Sequence, residues 1–154
     1  MVSYVLRSRN VCFPTLESNF RIPLIRHIIR LLGAIPIPES KQGFKRFMEA
    51  TGKWVQNGNL LHYYPEVVLH PYYQGIRGFK RGAFLTACET GVPVLPMVIS
   101  YRQPGGLIGI LKRRPCLTLK ILPPVYPAES ANKRQQTVEL MDTVYDRMNT
   151  AYWN

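Results

Sequence analysis

Leu60-Leu61-His62-Tyr63-Tyr64 runs into Pro65-Glu66, Gly78-Phe79-Lys80-Arg81-Gly82-Ala83-Phe84 follows, and Val92-Pro93-Val94-Leu95-Pro96-Met97-Val98 comes next. Leu60 to Tyr64 reads as a buried strand that leaves the turn Asn57-Gly58-Asn59. Ala83 to Thr90 reads as a helix closed by Gly91, and Val92 to Tyr101 as another strand. Alternation of strand and helix argues an α/β fold. The expectation is a single domain over 1–154, with helices flanking a largely parallel central sheet.

The same alternation extends in both directions. Pro23 to Leu32 reads as a helix with Pro in its first turn and Gly33 as its stop. Ile22, Ile25, Ile29 and Leu32 share one side of it, and Arg26 and Arg30, four apart, share another. Ala34 to Ile37 is a brief strand, and Ser40 caps a helix over Lys41 to Gln56, where Phe44, Phe47, Met48, Trp54 and Val55 recur near helical spacing. Val2 to Leu6 is a short apolar run of strand type. After Tyr101, Pro104-Gly105-Gly106 turns the chain between two β-like runs, and Leu117 to Leu122 reads as a strand. Asn132 to Tyr152 is a final helix whose stripe of Val138, Met141, Val144, Tyr145, Met148 and Tyr152 is core.

Hydrophobic residues make up 46% and charged residues 19% of the chain, which excludes a disordered one. The 20 Lys and Arg outnumber the 9 Asp and Glu, giving +11. That excess admits nucleic acid, anionic lipid headgroups or a phosphorylated substrate as partner. Cys12, Cys88 and Cys116 are far apart, without metal-ligand spacing, and fit reduced, buried thiols. No run approaches the roughly 18 apolar residues of a spanning helix. Arg7 and Arg9 interrupt any signal-peptide core, so membrane association is expected to be peripheral.

Taken in order, Tyr64-Pro65-Glu66, Phe79-Lys80-Arg81-Gly82 and Val92-Pro93-Val94-Leu95-Pro96 resemble the blocks of the glycerophospholipid acyltransferase family, of the 1-acylglycerol-3-phosphate acyltransferase type. The resemblance covers roughly residues 3 to 103. It implies an acyl-CoA or acyl-carrier-protein donor as co-substrate, lysophosphatidate or a related glycerophospholipid as acceptor, and no metal or other cofactor. It also implies an anionic membrane surface as partner and a peripheral location at the cytoplasmic face. Where the family continues Glu-Gly-Thr-Arg, this chain has Glu66-Val67-Val68-Leu69. The loop His70 to Arg77 stands there instead, similar to a bacterial branch with Pro-Tyr-Tyr before Ile-Arg, which implies that Arg77 supplies the guanidinium. In the block Gly33-Ala34-Ile35-Pro36-Ile37, Pro38 or Glu39 occupies the place of the family's Arg.

The chemistry follows from residue type. Glu66, at a strand's carboxyl end, suits a glycerol hydroxyl or the alignment of a cation, against the bland reading of an exposed strand end. Lys80, then Arg77, then Arg81 are the phosphate candidates at a helix start, against a merely solvated charge cluster. Acyl transfer also needs a general base and a group that orients it. The family's catalytic His-x-x-x-x-Asp is absent: no His among His27, His62 and His70 has the Asp, and the only aspartates are Asp142 and Asp146. His62 is a weak surrogate base whose bland reading is a core histidine. The expectation is thus an N-terminally truncated acyltransferase, with the dyad upstream of Met1.

Two alternatives stay open. One is a catalytically inactive lipid-phosphate binder; the other is a basic nucleic-acid domain using Lys112-Arg113-Arg114, for which no recognised motif is present. The helix bearing Arg21, Arg26 and Arg30 suits either an anionic membrane interface or ordinary packing on the sheet.

Overall fold

A computed structural model describes residues 10–66, 73–102, 116–129 and 132–154. Val2 to Leu6, the Pro104-Gly105-Gly106 turn and Lys112-Arg113-Arg114 lie outside the described residues. The chain forms two compact units, Met1–Tyr64 and Pro65–Asn154.

The first unit is built on a parallel sheet of order β2-β1-β3, with β1 at Val11–Leu16, β2 at Ala34–Ile37 and β3 at Leu60–Leu61. The central strand contains Pro14, which cannot donate to a ladder. The register shows why it is tolerated. Phe13 N–H donates to Gly33 O, while Cys12 O accepts from His62 N, so the ring nitrogen of Pro14 turns toward β3. The pairing with β3 stops there, at Leu61. Pro36 in β2 likewise turns its nitrogen to the outer edge.

Gly33 has φ +89, and a Cβ there would stand 2.8 Å from the Val11 carbonyl oxygen. Only glycine fits that approach, which opens the β1–β2 pairing. The helix α1 is shorter than its sequence pattern predicts, spanning Ile25–Leu31 after a 3-10 turn at Glu17–Arg21. The reason is Leu24, whose φ of 68 and ψ of −52, with Ile25 N–H donating to Pro23 O at 2.8 Å, define a γ-turn of the strained, positive-φ kind. No residue of α1 is buried, and Ile29 alone in it is half-buried. By contrast, α2 spans Lys41–Gln56 as expected, with Ser40 accepting from Gly43 N at its start. Trp54 Nε1 donates to Leu60 O and Asn59 Nδ2 to Trp54 O, which ties the helix end to β3.

In the second unit, α3 (Gly82–Thr90) and α4 (Lys133–Trp153) pack around Phe84, Cys88, Val98, Leu140 and Val144. Antiparallel β4 (Met97–Arg102) and β5 (Cys116–Ile121) complete it. The expected strand from Val92 begins only at Met97. Pro93 and Pro96 lack N–H groups, so pairing upstream reduces to one bridge, Val94 with Val125. Of the expected α4 stripe, Val144 and Met148 are core and Met141, Tyr145 and Tyr152 pack against it, whereas Val138 stays half-buried outside that cluster and Leu140 joins it. Lys133 Nζ donates to Cys88 O near the end of α3, and Lys120 Nζ to Ala151 O near the end of α4. Two of the basic residues thus serve helix carboxyl ends rather than ligands.

Gly33→Ala is expected to lower stability by about 2 kcal/mol, combining a disallowed φ with a backbone collision. The measurement is a lower urea midpoint with an unchanged slope.

Candidate functional site

Residues 76 to 82 alternate between anchors and cations. Ile76 is buried and its carbonyl accepts from Tyr145 Oη at 3.4 Å. Phe79 stacks on Phe84 at 5.8 Å and meets the edge of Tyr145 at 5.2 Å. With Ile76 and Phe79 held by the core, Arg77 is left half-buried, and Lys80 and Arg81 are exposed. Two hydrogen bonds then clasp this segment to the Pro65-Glu66 turn. Lys80 N–H donates to Pro65 O at 2.8 Å, and Arg77 N–H donates to a Glu66 carboxylate oxygen at 3.3 Å. Glu66 therefore aligns the backbone of the cation-bearing segment. Among the described residues, no carboxylate pairs with the heads of Arg77, Lys80 or Arg81.

Lys80 and Arg81 lead directly into α3, whose cap residue Arg81 makes no side-chain cap bond. The N–H groups of Gly82, Ala83 and Phe84 lack partners one turn back within the helix and carry the positive end of its dipole. An added Cβ at Gly82 would meet nothing within 4 Å, so nothing inside the chain demands glycine there. The backbone of this first turn is open to an approaching anion. Backbone donors and three neighbouring cations make an arrangement that can hold a phosphomonoester.

His62 lies in the first unit, its backbone N–H paired with Cys12 O and its ring edge-on to Tyr64 at 4.6 Å. Its Nε2 is buried and has no hydrogen-bond partner among the described residues. Burial pushes its pKa below 6.5, which keeps the ring neutral, the form a base requires. No described carboxylate orients it. Burial also pushes the Cys12 and Cys88 thiols up, away from nucleophilic thiolate. Among the described residues, no three His, Cys, Asp or Glu side chains gather as metal ligands.

The acyltransferase family profile matches residues 1–100, well over half of the chain. The chain belongs to the acyltransferase family. Among solved structures, the chain is similar to the 1-acyl-sn-glycerophosphate (LPA) acyltransferase PlsC from Thermotoga maritima. The likeness has a TM-score of 0.54 at 22% identity and covers 91% of this chain. At that identity the likeness speaks for the fold. The chain spans 56% of the length of that chain. No curated protein matches it.

Residue type and order single out the cations and Glu66 as candidates, but give no sign of Tyr145 or of the anchoring role of Phe79. Tyr145 lies 69 positions from its partner Ile76, and only its place in the apolar stripe of α4 signals an inward-facing side chain.

The depressed His62 pKa has a consequence for stability. The unfolded chain protonates this ring near pH 6.5, whereas the folded chain resists until lower pH. Stability present above about pH 6.5 is therefore lost as pH falls through the folded value. His62→Phe is expected to flatten that decline, measured as urea midpoints across the acid range.

Proposed function

We propose that this chain carries the acceptor-holding part of an enzyme that transfers a fatty acyl group from acyl-CoA or acyl-carrier protein to lysophosphatidate. The observation that carries the reading is the clasp of Pro65-Glu66 on Arg77 and Lys80. It presents three cations at the open first turn of α3. Membership of the acyltransferase family supports the reaction class. Lys80 and Arg77 would hold the acceptor phosphate, with Arg81 beside them, and Glu66 would fix the segment that carries Arg77. A general base would take the proton of the free glycerol hydroxyl as its oxygen attacks the thioester carbonyl. Collapse of the tetrahedral oxyanion would form the ester and expel the thiolate, which takes up a proton. These 154 residues contain no His-x-x-x-x-Asp, so the oriented base would come from outside them.

A lipid acceptor places the work at a membrane, here the cytoplasmic face. No described helix is long and apolar enough to cross one. That same missing dyad favours a second reading, a lipid-phosphate binder without turnover. Acyl transfer by the 154-residue chain, abolished by His62→Ala, would show that His62 replaces the dyad. Binding of lysophosphatidate without transfer would favour the binder.

Binding of a short-chain, water-dissolved lysophosphatidate, followed by calorimetry, tests the site itself. Lys80→Ala is expected to weaken it about tenfold or more, from the loss of one charge-assisted contact. Gly82→Ala is expected to raise stability by about 0.5–1 kcal/mol as a helix substitution while weakening the phosphate contact. Unchanged affinity in both variants, or equal affinity for the matching monoacylglycerol without phosphate, would sink the assignment.

A further inference from the structure

We propose that Tyr145 is a positioning residue of the acceptor-phosphate site, fixing from α4 the peptide group between Ile76 and Arg77. The inference rests on the lipid-acceptor reading above and adds a residue that lies beyond position 100, where the family profile stops. The Ile76 carbonyl and the Arg77 N–H are the two ends of one planar peptide unit. The N–H donates to the Glu66 carboxylate at 3.3 Å, and the carbonyl accepts from Tyr145 Oη at 3.4 Å. A peptide held at one end alone can still swing about the single bonds that flank it. Held at both ends, it sets the direction in which the Arg77 side chain leaves the backbone.

The ring of Tyr145 makes a second and different contact. It meets Phe79 at an interplanar angle of 79° with centroids 5.2 Å apart, the edge-on arrangement that aromatic pairs favour. Phe79 directly precedes Lys80. One side chain therefore touches both the residue before Arg77 and the residue before Lys80. At 3.4 Å the hydroxyl bond is long, so the ring contact is the stronger of the two.

The placement of α4 gives Tyr145 a firm base. Val144 beside it is 1% exposed and shares a core with Phe84. Nearer the start of α4, Lys133 Nζ donates to Cys88 O near the end of α3. The two helices thus run antiparallel, and α4 holds the exit of α3 through Lys133 and the approach to α3 through Tyr145. A tyrosine that served the core alone would stabilise the fold without touching the segment that carries the cations.

The test is calorimetric titration of the whole chain with a short-chain, water-dissolved lysophosphatidate, under conditions where every variant is folded. Tyr145→Phe keeps the edge contact and is expected to weaken binding about two- to threefold. Tyr145→Leu loses both contacts and should weaken it about tenfold. Val144→Ala removes core packing one position away, so it should lower the urea midpoint and leave affinity unchanged. A double-mutant cycle separates positioning from stability. With Arg77→Ala already present, Tyr145→Leu should weaken binding only about threefold, because one of the heads it aims is gone, whereas the losses in urea midpoint should add.

Parent-like affinity in Tyr145→Leu would overturn the inference. So would a loss no larger than that of Val144→Ala, or an undiminished tenfold loss in the Arg77→Ala background. Parent-like affinity in both Arg77→Ala and Lys80→Ala would instead defeat the acceptor reading. Amide hydrogen exchange of the ligand-free chain then decides on Tyr145 by itself, since the Arg77 and Lys80 N–H groups are the two that clasp the segment. Faster exchange at both in Tyr145→Leu but not in Val144→Ala would uphold its hold on the segment, and equal rates would end it.

Discussion

Phe84 is the side chain on which the second unit closes. It is 1% exposed, and Phe79 stacks upon it from the loop that carries Arg77, Lys80 and Arg81. An aromatic ring buried this fully contributes several kcal/mol, far more than any exposed cation does. The cations therefore do not organise the site. They are placed by Ile76 and Phe79, two apolar anchors on either side of Arg77, and the Glu66 carboxylate finishes the job by fixing the Arg77 backbone. Such division of labour lets the polar groups keep their heads for a ligand while hydrophobic burial supplies the rigidity.

Much of this was legible in the residues. Ser40, the apolar spacing over Lys41 to Gln56 and Gly91 are strong local signals, and α2 and α3 form where those signals put them. The central strand was not legible. Val11–Leu16 contains a proline and follows no alternation, and it is a strand because Gly33–Ile37 and Leu60–Leu61 pair with it from far along the chain. Leu60 to Tyr64 reads as a full strand, but β3 pairs only at Leu60 and Leu61. The limit is again set by the partner, since Pro14 offers no donor to a longer ladder. Sequence pattern registers local preference, whereas these boundaries depend on which partner supplies an N–H.

The site shows the same asymmetry. Lys80, Arg77 and Glu66 stand out by type and order, because a phosphate calls for cations and a clasp calls for an acceptor. Tyr145 and the α4 core do not, because their contribution is support at long range. The family profile ends at residue 100, whereas α4 begins at Lys133. The residues that define the family and the helix that holds them in place are thus distinct parts of the chain.

Charge, finally, has to be divided before it is interpreted. The excess of +11 invites a single explanation, yet the structure distributes it among unlike tasks. Lys120 and Lys133 satisfy carbonyls near helix ends. Arg77, Lys80 and Arg81 lie at or just before the start of α3, whereas in the other unit Arg26 donates to His27 Nε2 and Arg30 rests over the Phe20 ring. A nucleic-acid groove would ask for the cations to line one surface with base-stacking aromatics between them. The described residues instead spread their cations over helix ends, an aromatic ring and the start of α3.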